Sequence, residues 1–364
     1  MFSQNAKISH RQLIALLLLE FFGTELLFLP SYLAEIGGKS SWILLFCGTL
    51  AAAAIAPLLM LLGQRKPAWT AVEWFRSAFD HGAGSVLVLG LGCKLLLDGA
   101  MELRIFSEVL HSIMLPKTPL FVILLALLLL CFYTAESGME AQGRTAEILA
   151  IPVFVPFLLL VGAAAFSMEK NLALPLTLPE GKTLWKGLSS VQPLFQPMTF
   201  LLFVPPFLTN VKGSAKKVWY AGLFAVVLFT VLTFLCLAVY GEVSLSHKLF
   251  APLQLLERVG LSGIFFARQD LFLLWFFMVS VFLFLSGSLF FGGVFCQRLI
   301  GRKKRKGSIF VFALLLAILA LLPETMEGAC LLRKRLSPWL GAVYLALFPL
   351  LFLRMNPKGG KKDV

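Results

Sequence analysis

The sequence predicts an all-α, polytopic membrane protein, and three observations lead to this fold class. Hydrophobic residues make up 59% of the 364 residues, charged residues make up only 14%, and 35 residues are Phe. Apolar stretches near the length of a bilayer-spanning helix, about 20 residues, follow one another through the chain. The polar joints between them are short. A water-soluble fold cannot bury this much apolar surface, so we expect a single membrane domain over residues 1–364.

The positions of the apolar stretches predict about ten transmembrane helices. They are placed at residues 13–30, 42–63, 83–113, 119–135, 147–166, 190–209, 217–240, 269–297, 308–323 and 338–354. The ninth is short for a span because Pro323 ends it.

The distribution of basic residues predicts that both termini are cytoplasmic. With this orientation the inner segments hold 19 of the 32 Lys and Arg residues, and the outer segments hold 11. One outer joint is contrary to the rule because it contains Arg333, Lys334 and Arg335. The net charge of +13 is spread over joints beside membrane helices, so we expect contact with anionic lipid and not with nucleic acid.

Ten helices allow a five-plus-five inverted repeat, in which the first and sixth helices are broken near the bilayer midplane. The run Glu20–Glu25 places Gly23 and three polar side chains inside the first apolar stretch. In the sixth, Pro193 and Pro197 each remove a backbone donor. Unwound backbone at membrane depth is tolerated only where it is buried in protein or lines a wet cavity. We therefore predict that the breaks face each other around a pocket, although close helix packing at Gly23 and simple proline kinks remain an alternative.

The third helix carries an unusual number of charges for a membrane span. Lys94, Asp98 and Glu102 follow one another at helical spacing on one face, and Arg104 and Glu108 form a second pair of opposite sign. Ionisable groups at this depth are costly, and they commonly mark ligand or proton sites. For Lys94 and Asp98 the sequence leaves two interpretations open, a role in ligand or proton handling and a self-neutralising structural pair. For Arg104 and Glu108 we expect the structural role.

Two further groups of charges are interpreted as structural ion pairs. Glu140, Arg144 and Glu147 share one helix face at the predicted cytoplasmic rim. Arg268 and Asp270 precede Trp275 at the start of the eighth helix.

The chain lacks the sequence signatures of an enzyme. Its four His residues form no pair with the spacing of metal ligands, and it contains neither a nucleophile elbow nor a phosphate-binding loop with its lysine. We expect no enzymatic activity, no metal and no cofactor.

At several points the sequence resembles the permease-like B subunits of bacterial spore germinant receptors, which are relatives of the amino acid, polyamine and organocation transporters. The matching pieces are Ile8–Gln12, Gly23 and Thr24, Trp42 and Ile43, Gly138, Glu140, Arg144, Glu147 and Ile148, and Arg268, Asp270 and Trp275. The chain departs from the family where Ser40 and Ser41 precede Trp42, and where no acidic residue occurs between Glu180 and Glu242.

The resemblance implies a ten-helix transporter fold in the inner membrane of the dormant spore. It also implies a small germinant, often an amino acid, and two partners, a larger membrane A subunit and a lipoprotein C subunit. A secondary amino acid transporter is the alternative function, and a purely structural membrane scaffold is a third.

We expect the ligand to bind near the bilayer midplane between the two broken helices. The N–H groups of the half-helix after Gly23, with Thr24 and Glu25, would receive a carboxylate. Carbonyls near Gln196, with Thr199, would receive an ammonium group. The complete predicted site consists of Gly23, Thr24, Glu25, Lys94, Asp98, Gln196, Thr199, Ser280 and Ser286.

Overall fold

The computed structural model describes residues 6–22, 25–79, 81–167, 177–191, 196–258, 269–300, 305–333 and 335–336, and regular structure in these ranges is helical. The helices are α1 (His10–Phe21), α2 (Glu25–Gly37), α3 (Ser41–Arg65), α4 (Ala71–Ala78), α5 (His81–Ile113), α6 (Leu120–Ser137), α7 (Met139–Ala164), α8 (Gly181–Ser190), α9 (Gln196–Leu201), α10 (Ser214–Ser246), α11 (Ala251–Arg258), α12 (Gln269–Ile300), α13 (Arg305–Leu321) and α14 (Met326–Arg333). The predicted all-α class is confirmed for this part of the chain.

The first predicted span consists of two helices, α1 and α2. A capping box starts α1, because the Gln12 N–H donates to the Ser9 hydroxyl and the Ser9 N–H donates to the Gln12 side chain. The helix ends where the Phe22 N–H donates to the Leu19 carbonyl in a tighter turn. α2 starts again at Glu25, so the break falls where the sequence predicts it.

The sixth predicted span, 190–209, is also broken, but its helical part begins earlier than expected. α8 lies in a segment predicted to be an outer joint, and α9 is only six residues long. Pro197 is the second residue of α9, where its missing N–H costs no helical hydrogen bond. A 3₁₀ turn at Pro205–Phe207 follows. The segment Gly181–Ser190, which was predicted to be part of a polar joint, is therefore helical.

The two broken spans lie inside the bundle. α1 packs against α7, α9, α10 and α12, whereas α9 packs against α1, α3 and α12. α3 and α10 pack together closely, because a Cβ at Gly222 would lie only 2.9 Å from the Cβ of Ala53. α12 contacts α5, α6, α7 and α13. The long helices therefore enclose the short ones.

The start of the first broken span and the end of the sixth are joined by backbone hydrogen bonds. The Ile8 N–H donates to the Phe207 carbonyl at 2.7 Å, and the Thr209 N–H donates to the Ile8 carbonyl at 3.0 Å. Nε2 of His10 lies 2.6 Å from the Asn210 carbonyl oxygen. The start of the first span is therefore attached to the end of the sixth.

The ninth predicted span is followed by a sharp bend. α13 ends at Leu321, and α14 turns away from it by 114°. The bend brings Arg333 into the bundle, where it is only 4% exposed. Our placement of Arg333 in a solvated joint is therefore wrong, because its side chain is buried and paired with Glu102.

On length and composition alone, five helical stretches of the described chain can cross a bilayer, or six if α13 and α14 are counted as one bent span. Three of the ten predicted spans, the first, the third and the sixth, are not among these stretches, and the reasons are visible in their sequences. α5 carries charges along its length, and the first and sixth spans are interrupted. The predicted span 338–354 lies outside the described residues.

Candidate functional site

The two broken spans meet at Gly287 of α12. A Cβ at this position would lie 3.0 Å from Oε1 of Glu20 and 3.2 Å from Cε2 of Phe200. Glu20 is in the last turn of α1, and Phe200 is in α9. A Cβ at position 287 would therefore crowd both the carboxylate and the ring, and one of them would have to shift by a few tenths of an ångström. The predicted approach of the first span to the sixth is therefore present in the described residues.

Glu20 is a buried carboxylate without a partner in the described residues. Its side chain is 3% exposed, and neither carboxylate oxygen accepts a hydrogen bond from a described group. Buried polar groups are almost always hydrogen-bonded, and a buried charge is normally paired. This carboxylate is therefore the most unusual polar group at the break.

Aromatic rings surround the break next to Glu20. Phe22 stacks on Phe229 of α10, with ring centroids 4.7 Å apart, and contacts Phe154 and Phe157 of α7 edge-on. It also contacts Phe276 of α12 edge-on. These rings make the surroundings apolar, so a charge at Glu20 is poorly solvated.

A second polar group joins α9 to the charged face of α5. Arg333 of α14 donates from Nη1 to Oε2 of Glu102 at 3.0 Å. In the amide orientation that satisfies both side chains, Oε1 of Gln196 accepts from Nη2 and Nε of Arg333 at 3.0 and 3.1 Å. All three residues are at most 4% exposed. The structure thus places Gln196 next to a buried ion pair that the sequence analysis did not foresee.

Lys94 and Asp98 of α5 contact each other. Nζ of Lys94 donates to Oδ2 of Asp98, and both side chains are buried. One turn or more further along α5, Arg104 donates to Glu108 at 2.6 Å and to the Glu324 carbonyl at 2.8 Å. The opposite charges of α5 are thus brought together as their spacing suggests.

The two predicted site serines on α12 and the threonine on α9 are buried. The Ser280 hydroxyl donates to the Phe276 carbonyl at 3.1 Å, and the Ser286 hydroxyl donates to the Leu283 carbonyl at 3.0 Å. Gln142 of α7 donates to the Ser286 carbonyl at 3.1 Å. Thr199 is 6% exposed. Both serines are therefore engaged by their own helix in this conformation.

Several predicted residues fall outside the description. Gly23, Thr24 and Arg268 lie outside the described residues. Glu25 begins α2 and Asp270 belongs to the first turn of α12, but the description covers only their backbone.

The rim charges predicted to be structural lie in contact with one another. Nη2 of Arg144 is 2.5 Å from Oε1 of Glu140, and Nε of Arg11 is 3.6 Å from Oε1 of Glu147. The Ala6 N–H also donates to Glu140 at 3.2 Å. Glu140, Arg144 and Glu147, together with Arg11, form a stripe of charges at the rim. This rim stripe connects the start of the first span to α7.

A cleft of about 540 Å³ opens at the end of the bundle where α1 begins and α3 and α12 end. Its lining is Lys7, Gln64, Pro67, Ala68, Pro205, Pro206, Leu208, Thr209, Asn210, Val211, Lys212 and Arg298. This is the predicted cytoplasmic face, directly below the inner halves of both broken spans.

The described part of the chain contains no group of three or more His, Cys, Asp and Glu side chains that could hold a metal ion. The polar groups at the two breaks are carboxylates, an amide and a guanidinium, which suit recognition of a small charged solute.

Two of the residues just described were not singled out as site residues from the sequence. Arg333 is 231 positions from Glu102, so its role depends on a long-range contact. One indication was present in the sequence. Arg333 belongs to a basic run in a predicted outer joint, where the positive-inside rule predicts few basic residues. Glu20 was seen as part of the break, but only the structure reveals that it lacks a partner among the described groups.

Comparison with known sequences identifies related proteins. A family model described as spore germination protein matches residues 7–328. Spore germination protein YndE of Bacillus subtilis (strain 168) is 23% identical over 375 residues, and the match covers 100% of both chains. Spore germination protein GerQB of Bacillus cereus is 26% identical over 229 residues, which cover 62% of each chain.

Comparison with solved structures shows the fold. The structure of MhsT in complex with L-phenylalanine has a TM-score of 0.67 and is 15% identical, covering 93% of this chain and 88% of that one. A Na⁺-coupled sialic acid symporter in a substrate-bound, outward-open state has a TM-score of 0.69 and is 13% identical, covering 96% of this chain and 80% of that one. The chain therefore has a transporter fold.

Proposed function

Because the chain belongs to the family of spore germination proteins with permease-like sequences, we propose that it is a germinant-sensing membrane subunit that binds a small amino acid or similar metabolite. It is an integral, multi-pass membrane protein and not an enzyme, as its family and fold indicate. Binding at mid-membrane would trigger germination through partner subunits.

The observation that carries this proposal is the convergence of the two broken spans at Gly287. Glu20 from the first span and Phe200 from the sixth approach the same glycine. Helix breaks at membrane depth expose backbone donors and acceptors, and transporters use these to hold the charged ends of a solute. The polar ends of such a solute are what an amino acid provides.

In this proposal the first turn of α2, with Gly23, Thr24 and Glu25, receives the ligand carboxylate. α9 contributes Gln196 and Thr199, and α12 contributes Ser280 and Ser286. The Lys94–Asp98 pair of α5 influences the site through its charges. Arg268 with Asp270, and Glu140 and Glu147 with their basic neighbours, have structural roles.

Signalling requires that the ligand bind two conformations with different affinity. We propose that the shift passes to a larger membrane A subunit and a lipoprotein C subunit in the inner membrane of the spore. Both termini are proposed to be cytoplasmic, and with this orientation the cleft at the start of α1 and the end of α12 would face the cytoplasm.

Secondary amino acid transport is the alternative function, and the shared fold with a symporter favours it. The two functions differ in what happens after binding. A sensor needs only a change of conformation, whereas a transporter must open its site to each side in turn.

The test uses the full-length chain purified alone. It is reconstituted in nanodiscs for binding of glycine and each of the nineteen standard L-amino acids, and in liposomes for uptake of any radiolabelled amino acid that binds. Saturable binding without net uptake, together with co-purification of the A and C subunits after co-expression, supports the sensor. Net uptake by the purified chain supports the transporter, and no saturable binding contradicts both.

A further inference from the structure

The end of α1 concentrates negative charge at the helix break. The last carbonyl groups of a helix lack hydrogen-bond donors within it and carry partial negative charge. Glu20 lies in that last turn, where an anionic side chain is unfavourable. Its two oxygens are buried and accept nothing from the described residues. This location therefore favours a cation and not an anion.

The basic side chains buried in the described interior are engaged elsewhere. Lys94 contacts Asp98, Arg104 contacts Glu108, and Arg333 contacts Glu102. An ionised carboxylate without a counter-ion is unfavourable in such surroundings, and the neutral acid form is favoured instead.

The break has opposite polarity at its two ends. α1 ends at Phe21, and α2, a helix of 13 residues, begins at Glu25. The carbonyl end of α1 and the N–H end of α2 are separated only by residues 22–24. An α-amino acid has an ammonium group and a carboxylate on adjacent carbons, so both can be neutralised at one break.

We propose that Glu20 is the counter-ion of the ligand ammonium group, and that it releases its proton when that group binds. This inference rests on the proposed function and narrows the ligand to an amine that also carries a carboxylate. The protonated carboxyl and the ammonium cation become an ion pair of carboxylate and ammonium, and one proton goes to water. Charge and atoms balance without any further reactant.

The ligand ammonium group thus binds at α1 instead of at α9. The earlier expectation placed the ammonium group near Gln196 and Thr199, but Gln196 accepts from Arg333 and therefore faces a cation already. Gly287 of α12 packs directly against the Glu20 carboxylate, and the buried ring of Phe200 packs against the same glycine. Low polarity around an ion pair strengthens it.

The experiment measures proton release by calorimetry. Wild-type protein in nanodiscs is titrated with each L-amino acid that binds, in phosphate and in Tris, because the ionisation enthalpies of these buffers differ. We expect one proton released per ligand bound. Affinity should then rise about tenfold per pH unit while Glu20 is protonated in the empty protein, because release of a proton favours binding at higher pH.

Glu20→Gln keeps the size of the side chain and removes its charge. We expect it to bind the same amino acid about 100-fold more weakly, without proton release, and to melt at the wild-type temperature or above. Glu140→Gln at the rim is the matched control and should change neither affinity nor proton release. The ligand analogue that lacks the amino group should bind wild type and Glu20→Gln with similar, low affinity.

A second measurement does not depend on the ligand. The infrared spectrum of the empty wild-type protein at neutral pH should contain the C=O stretch of a protonated carboxylic acid that is missing in Glu20→Gln. Absence of this band in wild type overturns the inference. Tight amino acid binding without proton release, unchanged in Glu20→Gln, also overturns it but leaves the proposed function in place. Failure of all twenty amino acids to bind the folded wild type contradicts the proposed function.

Discussion

The charged face of α5 and the carboxylate at the end of α1 are both buried in the bundle, but the protein neutralises them differently. On α5, Lys94 meets Asp98, and Glu102 meets Arg333 from α14. At the break, Glu20 has no opposite charge among the described residues. The protein's own side chains compensate the buried charges of α5, whereas the described residues supply no opposite charge to Glu20.

This difference in pairing distinguishes the charges of α5, which have a structural role, from the Glu20 carboxyl, which can interact with a ligand. A paired ion holds two helices together and resists change, since removal of one partner strands the other. A buried acid without a counter-charge is stabilised when a cationic ligand binds beside it. Variants should accordingly affect stability on α5 and ligand affinity at the break of α1.

The largest effect is expected for Arg333→Met. The change removes the guanidinium that contacts both Glu102 and Gln196, so we expect a loss of about 3–5 kcal/mol in the free energy of unfolding. The measurement is thermal unfolding in nanodiscs. Arg335→Met, at an exposed position two residues away, is the matched control and should leave the melting temperature unchanged.

The double variant Glu102→Met, Arg333→Met sharpens this prediction. If the guanidinium mainly compensates the carboxylate, the double variant should be more stable than Arg333→Met alone. An additive loss would mean that the two side chains do not act as a pair.

Asp98→Asn should have the next largest effect. Lys94 then faces a neutral amide, and we expect a loss of about 2–3 kcal/mol, as for a hydrogen bond to a charged group. If the pair also influences the ligand, amino acid affinity measured by calorimetry falls several-fold while expression is retained. Unchanged affinity with reduced stability would remove Asp98 from the site.

Gly287→Ala should reduce binding with a smaller cost in stability. The new Cβ would lie 3.0 Å from Glu20 and 3.2 Å from Phe200, so one of them must move. We expect affinity to fall about tenfold, measured by the same titration. Gly162→Ala is a suitable control because a Cβ there meets nothing within 4 Å. Equal affinities for the two variants would contradict the location of the site.

The smallest effect is expected for Arg11→Met. The Arg11 side chain is 87% exposed, and it lies 3.6 Å from Glu147. Exposed ion pairs contribute little to stability because water screens them. Neither the melting temperature nor the affinity should change measurably. A clear loss of stability would indicate that the rim stripe holds α1 to α7 more firmly than its exposure suggests.

The sequence predicts the membrane fold and the family well, because both depend on local patterns. Apolar runs of bilayer length mark the spans, and the confirmed family resemblance rests on short pieces such as Gly138 and Glu140. The break after Phe22 is visible as glycine and polar residues in an apolar run. α8 was missed because Lys182 and Lys186 make its ten residues look like a polar joint.

The partners in the candidate site cannot be read from the sequence. The contact of Arg333 with Glu102 spans 231 positions and depends on the bend before α14. Glu20 lacks a hydrogen-bond partner among the described residues because none of the helices packed around it presents a donor to its carboxylate. The sequence does not show which helices these are. Local spacing correctly suggested the Lys94–Asp98 contact because the two residues are one helical turn apart.

The hydrogen bonds between Ile8 and the Phe207–Thr209 segment have a mechanical consequence. They couple the first half of the first span to the last half of the sixth, so that the two segments would move together as one lever. Motion that starts at the breaks would then reach a single patch at this end of the bundle. A partner protein bound beside that patch would sense one displacement instead of two independent ones.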